Sequence, residues 1–273
     1  CDGIISTVTE VFDDDIISNL SKRIKIISNF GVGFSNIDID AAKKRNIIVT
    51  NTPNVLTAAT AEIAILIILG AARRVNEGIK YARNKNWQWS TDFLIGKELN
   101  NARLGILGLG RIGRAVANRA RSFGMKIHYH NRVRLTPDLE KDSTYHDNIK
   151  SLFSVSDFLS INCTSTEKTR YIINKKTLNY FPDGAVIANT ARGEIIEDVS
   201  MIEALKSGKI YSLGLDVYNG EPNIHPEYIN LPNVFVLPHL GSATYKTRKA
   251  MSDLAINNLK EFFENGNCKN AVN

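Results

Sequence analysis

Cysteine and tryptophan are scarce in this chain, with three cysteines and two tryptophans among 273 residues. Cys1, Cys163 and Cys268 are odd in number, far apart and without metal-ligand spacing. That excludes a disulfide framework and a cysteine-bound metal, and it suits a reducing, cytoplasmic setting. No apolar run is long enough to span a membrane; the longest, Ile63 to Ala72, reads as a buried helix. No secretory leader, internal repeat or low-complexity segment is visible. The net charge of +6 is spread along the chain, without a Lys/Arg block or interleaved aromatics. A nucleic-acid partner is therefore not expected, whereas small anionic ligands give the excess charge a use.

What is present is an alternation of strand and helix, which predicts an α/β fold with a parallel sheet. Strands are expected at Gly3–Ser6, Ile24–Asn29 and Ile47–Thr50, with helices over Asp13–Ser21 and Ile37–Arg45. Asn51-Thr52-Pro53-Asn54 is turn chemistry and marks a domain hinge. Thr57–Val75 reads as one long helix, apolar on nearly every face, which predicts burial against a second subunit. Asn76 to Asn101, with Trp87 and Trp89, reads as a polar arm over a neighbouring surface. Further strands are expected at Leu104–Leu107, Met125–Asn131, Phe158–Cys163, Ala185–Thr190, Tyr211–Val217 and Val234–Leu237. Helical segments are expected around Ser151–Ser154, Thr177–Tyr180, Glu197–Ser207 and Ser242–Asn265.

The segment Leu104-Gly105-Ile106-Leu107-Gly108-Leu109-Gly110-Arg111-Ile112-Gly113-Arg114 reads as strand, Gly-x-Gly-x-x-Gly, then helix start. Gly108 permits the tight turn, Gly110 close approach of a pyrophosphate, and Gly113 tight helix–strand packing. The free N–H groups of the helix start, including Arg111 and Ile112, favour phosphate. An NAD-binding strand usually ends in Asp or Glu about 20 residues later, on the ribose 2′-hydroxyl. Here the strand ends in Asn131, followed by Arg132 and Arg134. A neutral amide and two guanidinium groups would attract a 2′-phosphate, so NADP is favoured over NAD.

Ligands of open α/β sheets bind at the carboxyl ends of strands. Three successive strand ends carry Arg192, then Asp216 and Glu221, then His239. Beside a nicotinamide, the Arg/Glu/His set suits reduction of a ketone next to a carboxylate. A protonated His239 donates to the developing alkoxide, Glu221 holds the ring and balances its charge, and Arg192 binds the carboxylate. The amides of Val32 and Gly33, in a glycine-rich turn, read as a second carboxylate site.

These motifs resemble the D-isomer-specific 2-hydroxyacid dehydrogenases over Gly3 to Asn273. The resemblance runs through Asn29–Asp38, Asn51–Thr57, the glycine motif, Asn189–Gly193, Gly214–Pro222 and Pro238–Thr244. Within the family it is strongest to NADPH-preferring glyoxylate/hydroxypyruvate reductases and 2-ketogluconate reductases, through Tyr129-His130-Asn131-Arg132. It implies a doubly wound Rossmann cofactor domain over 54–240 and a smaller flavodoxin-like substrate domain from 1–53 and 241–273. It implies a homodimer joined through the cofactor domain, with a hinged cleft that closes on substrate. His239 is then the general acid, Glu221 its partner, Arg192 the substrate clamp, and Asp216 the holder of the nicotinamide carboxamide. Thr60, Cys163, Thr164, Thr190 and Gly241 match cofactor-lining positions. No metal is implied.

Two departures from the family stand out. The chain opens at Cys1, directly in a strand, where the family has an earlier strand and helix, so an incomplete substrate domain with an unpaired sheet edge is expected. Thr164 stands where many relatives carry Pro. Two alternatives share the fold: a dinucleotide-sensing corepressor-like binding protein, and an NAD-dependent D-2-hydroxyacid dehydrogenase of another substrate. A phosphoglycerate dehydrogenase is disfavoured because Ser6-Thr7-Val8-Thr9 lacks an arginine for a substrate phosphate. A formate dehydrogenase is disfavoured because that site has Gln where this chain has Glu221.

Overall fold

Short apolar strands alternating with helices build two parallel sheets in the computed structural model, which describes residues 1–84 and 87–273. Lys85 and Asn86, inside the arm expected over 76–101, lie outside the described residues. The chain divides into two compact units, Cys1–Ala59 with Ser242–Asn273, and Thr60–Gly241.

The first unit begins with β1 (Gly3–Ser6), α1 (Asp14–Asn19), β2 (Ile26–Asn29), α2 (Ile39–Lys44) and β3 (Ile48–Thr50). Its sheet has the order β1-β2-β3, and the register sets Ile4 beside Ile27 and Ile27 beside Val49. Both helices start at an aspartate whose side chain accepts a backbone N–H, Asp13 from Ile16 and Asp38 from Ala41. Such caps satisfy donors that a helix start leaves open and fix where the helix begins. Ile17, Ala41 and Ala42 from the helices, with Ile47 just before β3, pack with Ile27 and Val49 of the sheet.

The second unit follows as α3 (Thr57–Ala72, its first residues still in the first unit), α4 (Val75–Arg83), β4 (Arg103–Leu107), α5 (Arg111–Ser122), β5 (Lys126–His130), α6 (Pro137–Glu140), β6 (Thr144–Tyr145) and α7 (Ile149–Val155). It continues through β7 (Phe158–Ile161), α8 (Lys175–Leu178), β8 (Ala185–Asn189), α9 (Asp198–Ser207), β9 (Ile210–Leu215), α10 (Pro226–Asn230) and β10 (Val234–Val236). The last helix, α11 (Tyr245–Asn265), belongs to the first unit.

The seven strands of the second unit are all parallel, in the order β10-β9-β8-β7-β4-β5-β6. The order reverses between β4 and β7, and that switch point is where doubly wound sheets bind their ligands. Every residue of β7 and β8 is buried, which explains why they read as unbroken apolar runs rather than alternating ones. One face packs Leu159, Ile161 and Ile187 against Phe153, Met201 and Leu205. The other packs Leu104, Ile106 and Val186 against Ile67, Ile68 and Val116.

The long helix expected to reach Val75 ends at Ala72, and a second helix, α4, opens the arm. The break has a local cause. The Ala72 carbonyl accepts the Lys97 N–H at 2.8 Å, and Arg74 takes a left-handed backbone with φ 54°, its guanidinium forked onto Glu77. Two of the apolar faces of α3 are covered within the unit, through Ala61, Ala64, Ile65, Ile67, Ile68 and Ala71, but Leu66 remains 45% exposed. Every residue of α4 is at least partly exposed, and Ile79, Tyr81, Trp87, Trp89 and Ile95 add further uncovered apolar surface. Among the described residues no helix is long and apolar enough to cross a membrane.

Candidate active site

The glycine motif forms the turn from β4 to α5, at the switch point. Gly108 has φ +97°, and a Cβ there would lie 2.6 Å from the Cys163 nitrogen at the end of β7. A Cβ on Gly113 would lie 2.3 Å from the Gly108 carbonyl oxygen. Gly110, the N-cap of α5, has open space around its missing side chain. Only the middle glycine faces a void, and the amides of Arg111 and Ile112 begin the helix beside it. Free main-chain N–H groups at a helix start, with open space beside them, fit a pyrophosphate. Nearby, between β7 and Cys163, the buried Asn162 Oδ1 has no hydrogen-bond partner among the described residues. The residues present therefore fit a dinucleotide.

The other expected cofactor-lining residues are placed as follows. The Asn131 Oδ1 accepts the Leu109 N–H at 2.7 Å, tying the end of β5 to the glycine turn. Arg132 is exposed. Arg134 is forked onto Glu140, Nε to Oε2 and Nη2 to Oε1, both at 2.8 Å. Thr60 Oγ1 donates to the Gly241 carbonyl at 3.1 Å. The Thr164 carbonyl accepts the Thr169 hydroxyl at 2.8 Å, and Thr190 directly follows β8. Burial pushes the Cys163 thiol up to about 12, so it stays protonated and unreactive.

Arg192, Glu221 and His239 lie beyond the ends of β8, β9 and β10. His239 Nδ1 meets Glu221 Oε2 at 2.6 Å, and the other carboxylate oxygen, Oε1, accepts the Tyr218 N–H at 2.9 Å. His239 has φ +55°, an uncommon backbone for a residue with a Cβ. Its flanks hold it there. Asp216 accepts the Leu240 N–H at 2.6 Å and the Gly241 N–H at 2.8 Å, while the Tyr218 hydroxyl donates to the Leu237 carbonyl at 2.6 Å.

The loop carrying Arg192 is fixed by Asn189, whose amide donates to the Arg192 carbonyl and accepts the Ala191 N–H. Gly193 then presses on the Tyr218–Asn219 peptide, where a Cβ would come within 1.8 Å.

Electrostatics follow from this packing. Burial raises the Glu221 carboxyl, but the hydrogen bond and charge of His239, the Tyr218 amide and the Arg192 charge bring it below its ordinary range. It is a carboxylate at neutral pH. Burial lowers the Arg192 guanidinium, opposed by Glu221 and Glu194, and an arginine so placed remains a cation. Burial raises the Asp216 carboxyl, against the Leu240 and Gly241 amides and His239.

Val32 and Gly33 lie in the first unit, after β2. Their carbonyls accept the Asn51 and Asn29 side-chain amides at 2.9 and 2.8 Å, so the turn is braced from both sides. Three residues with clear roles here were not singled out from sequence: Tyr218, Asn189 and Glu140. Asn189 had a usable signal, as a polar residue closing the buried run Ala185-Val186-Ile187-Ala188.

A model of the family described as "D-isomer specific 2-hydroxyacid dehydrogenase, NAD binding domain" matches residues 65–241. The chain is 43% identical over 257 residues to a glycerate dehydrogenase of Hyphomicrobium methylovorum, covering 93% of this chain and 80% of that one. A crystal structure of a glyoxylate reductase from Paecilomyes thermophila superposes with a TM-score of 0.94 at 42% identity, over 99% of this chain and 83% of that one. The NADPH-dependent glyoxylate/hydroxypyruvate reductase of Sinorhizobium meliloti, solved with NADP and malonate, gives a TM-score of 0.92 at 33% identity, over 99% and 83%.

Proposed function

The chain belongs to the D-isomer specific 2-hydroxyacid dehydrogenase family, and we propose that it works as an NADPH-preferring reductase of a small 2-oxoacid. It is an oxidoreductase with the family's Rossmann-type NAD-binding domain. Glyoxylate and hydroxypyruvate are the favoured substrates, with 2-ketogluconate next. Hydroxypyruvate and glycerate are the two sides of one such reaction. The observation that carries the reading is the 2.6 Å contact between His239 Nδ1 and Glu221, with the Arg192 charge beside it at the ends of adjacent strands.

When bound, the reduced nicotinamide supplies a hydride to the carbonyl carbon. The residues of this chain do the rest. Glu221 occupies His239 Nδ1, which leaves Nε2 to carry the proton to the carbonyl oxygen. Arg192 grips the carboxylate and offsets the charge growing on that oxygen. The Val32 and Gly33 amides are assigned a second hold on the carboxylate, and Asp216 is assigned to the nicotinamide carboxamide. Arg132 is assigned to the 2′-phosphate.

The uncovered apolar surface of Leu66, Ile79, Tyr81, Trp87 and Trp89 supports a homodimer formed through the second unit. Three dispersed cysteines support a cytoplasmic setting.

Loss of NADPH absorbance with glyoxylate, hydroxypyruvate and 2-ketogluconate tests the activity. Turnover is expected with at least one of them, faster with NADPH than NADH, and hydroxypyruvate should yield D-glycerate. Dinucleotide binding with no turnover on any 2-oxoacid would overturn it in favour of a sensing role. Light scattering at micromolar concentration should give a dimer mass, and a monomer mass would overturn the interface.

A further inference from the structure

Two arginines follow β5, and only one of them is held in an ion pair with a buried acid. Arg134 presents its Nε and Nη2 to both oxygens of Glu140 at 2.8 Å, the full bidentate geometry of a guanidinium–carboxylate pair. The guanidinium carbon also lies 5.5 Å from the centre of the Tyr145 ring. Glu140 is the buried member: its side chain is 8% exposed, against 63% for Arg134. The chain positions this acid deliberately. Thr136 and Pro137 start the short α6, which turns Glu140 inward toward Tyr129, and the fully buried Tyr129 hydroxyl accepts the Leu135 N–H of the same loop. The hydrogen bonds and charge of Arg134, with the Tyr129 hydroxyl, hold the acid below its ordinary range, against the burial that raises it.

The carboxylate takes the Nε/Nη2 edge of the fork and offsets its charge, so a phosphate would meet only the Nη1 side of an already neutralised pair. The two anions compete for one cation. Arg132 is exposed two residues earlier, so the loop offers one committed cation and one at the surface.

We infer that Glu140 is a positioning residue for cofactor selectivity: it withholds Arg134 from the 2′-phosphate, leaving Arg132 as the arginine that discriminates NADPH from NADH. The inference rests on the reading that the 2′-phosphate lands on the loop after β5. It makes the chain a moderate discriminator by construction. The loop contains the residue for a stronger preference and an internal acid that restrains it.

The test is fluorescence titration of NADPH and NADH on the intact protein and its variants, reading the ratio of the two dissociation constants. Glu140→Gln removes the competing charge and frees Arg134. The preference for NADPH should rise about tenfold, the worth of one charge-assisted contact, with NADH affinity unchanged. Arg134→Gln/Glu140→Gln removes both charges together and should leave the parent ratio in place. A Glu140→Gln ratio equal to the parent's, or equal loss for both cofactors, overturns the inference, because a purely structural staple cannot move the ratio. Should Glu140→Gln fail to fold, the double variant decides alone: a fall in its ratio means that Arg134 already serves the phosphate in the parent, and the inference is wrong. Arg132→Ala separates the two readings. A parent ratio of one that Arg132→Ala leaves unchanged removes the NADPH reading, whereas the Glu140→Gln result still reports on Glu140.

Discussion

Two parts of the second unit handle charged groups in opposite ways. Beyond β8, β9 and β10 the loops are tied to main chain: the Asn189 side chain grips the Arg192 loop, the Tyr218 N–H grips Glu221, and Asp216 and the Tyr218 hydroxyl grip the chain on either side of His239, while Glu221 and His239 meet side chain to side chain. Beyond β5, the two arginines have no such main-chain tie among the described residues: Arg134 is forked onto the buried Glu140 and Arg132 is exposed. Proton and hydride transfer tolerate little displacement, and main-chain ties of this kind suit the chemistry proposed for these loops. Recognition of a distal phosphate, the role proposed for the loop after β5, tolerates more.

The sharpest way to break this contrast is at His239. His239→Ala should lower turnover by about 10² to 10⁴-fold, as expected for loss of a general acid, with NADPH binding nearly unchanged. Near-normal ketoacid reduction would remove His239 from the chemistry. Arg132→Ala acts on the other side of the comparison. It should weaken NADPH binding by on the order of 1.5–3 kcal/mol, leave NADH binding intact, and leave turnover at saturating cofactor close to parent. Equal weakening of both cofactors in the same titration would show that this loop is not a phosphate reader.

Glycine exchange tests the rigidity itself. Gly193→Ala drives a Cβ into the Tyr218–Asn219 peptide and should destabilise the unit by about 1–3 kcal/mol in thermal or denaturant unfolding, while displacing Arg192. Gly110→Ala meets nothing within 4 Å, so its fold should be unaffected and its cofactor affinity reduced. Equal stability of the two variants would mean that the Arg192 loop yields easily.

The smallest effect concerns pH. His128 and His146 share a 3.0 Å contact, and His146 also meets Ser151 at 2.7 Å. Burial lowers both imidazoles from the usual 6.5, helped at His128 by the His146, Arg103 and Lys126 charges and at His146 by His130, against Asp157 and Asp147 respectively. Below 6.5 the unfolded chain takes up protons that the native pair refuses. The contribution is therefore complete above that pH and is lost as pH falls from it through the lower folded-state values. Melting temperature should drop by about 2–4 °C for each kcal/mol lost, and His146→Gln should flatten the acid limb. An unchanged slope would place the titration elsewhere.

Much of this architecture could be read from residues alone. Every strand but β6 is expected from sequence, most as apolar runs, and the Gly108, Gly110 and Gly113 spacing marks the β4–α5 turn. What escaped reading depends on distances through space. Thr144–Tyr145 is too short to show a period, and Pro137–Glu140 too short to show an apolar face. The end of α3 at Ala72 goes with the bond from Lys97, far along the chain, and with the left-handed backbone of Arg74, neither of which shows in Arg73 and Arg74 as residue types, both good helix formers. Asp216 was legible as a strand-end acid. That both its oxygens clamp Leu240 and Gly241 depends on how the loop after β10 folds back. The Arg134–Glu140 pair is invisible to any helical spacing rule, because α6 starts between the two residues.

The seat of Gly193 against the Tyr218–Asn219 peptide has a consequence for anyone who redesigns this scaffold. The segment that delivers the guanidinium and the segment that delivers the carboxylate interlock without a side chain between them. A graft that imports residues 189–193 from a donor with a different path at 218–221 would collide main chain with main chain. These two stretches are one transplantable cassette, to be exchanged together or left alone.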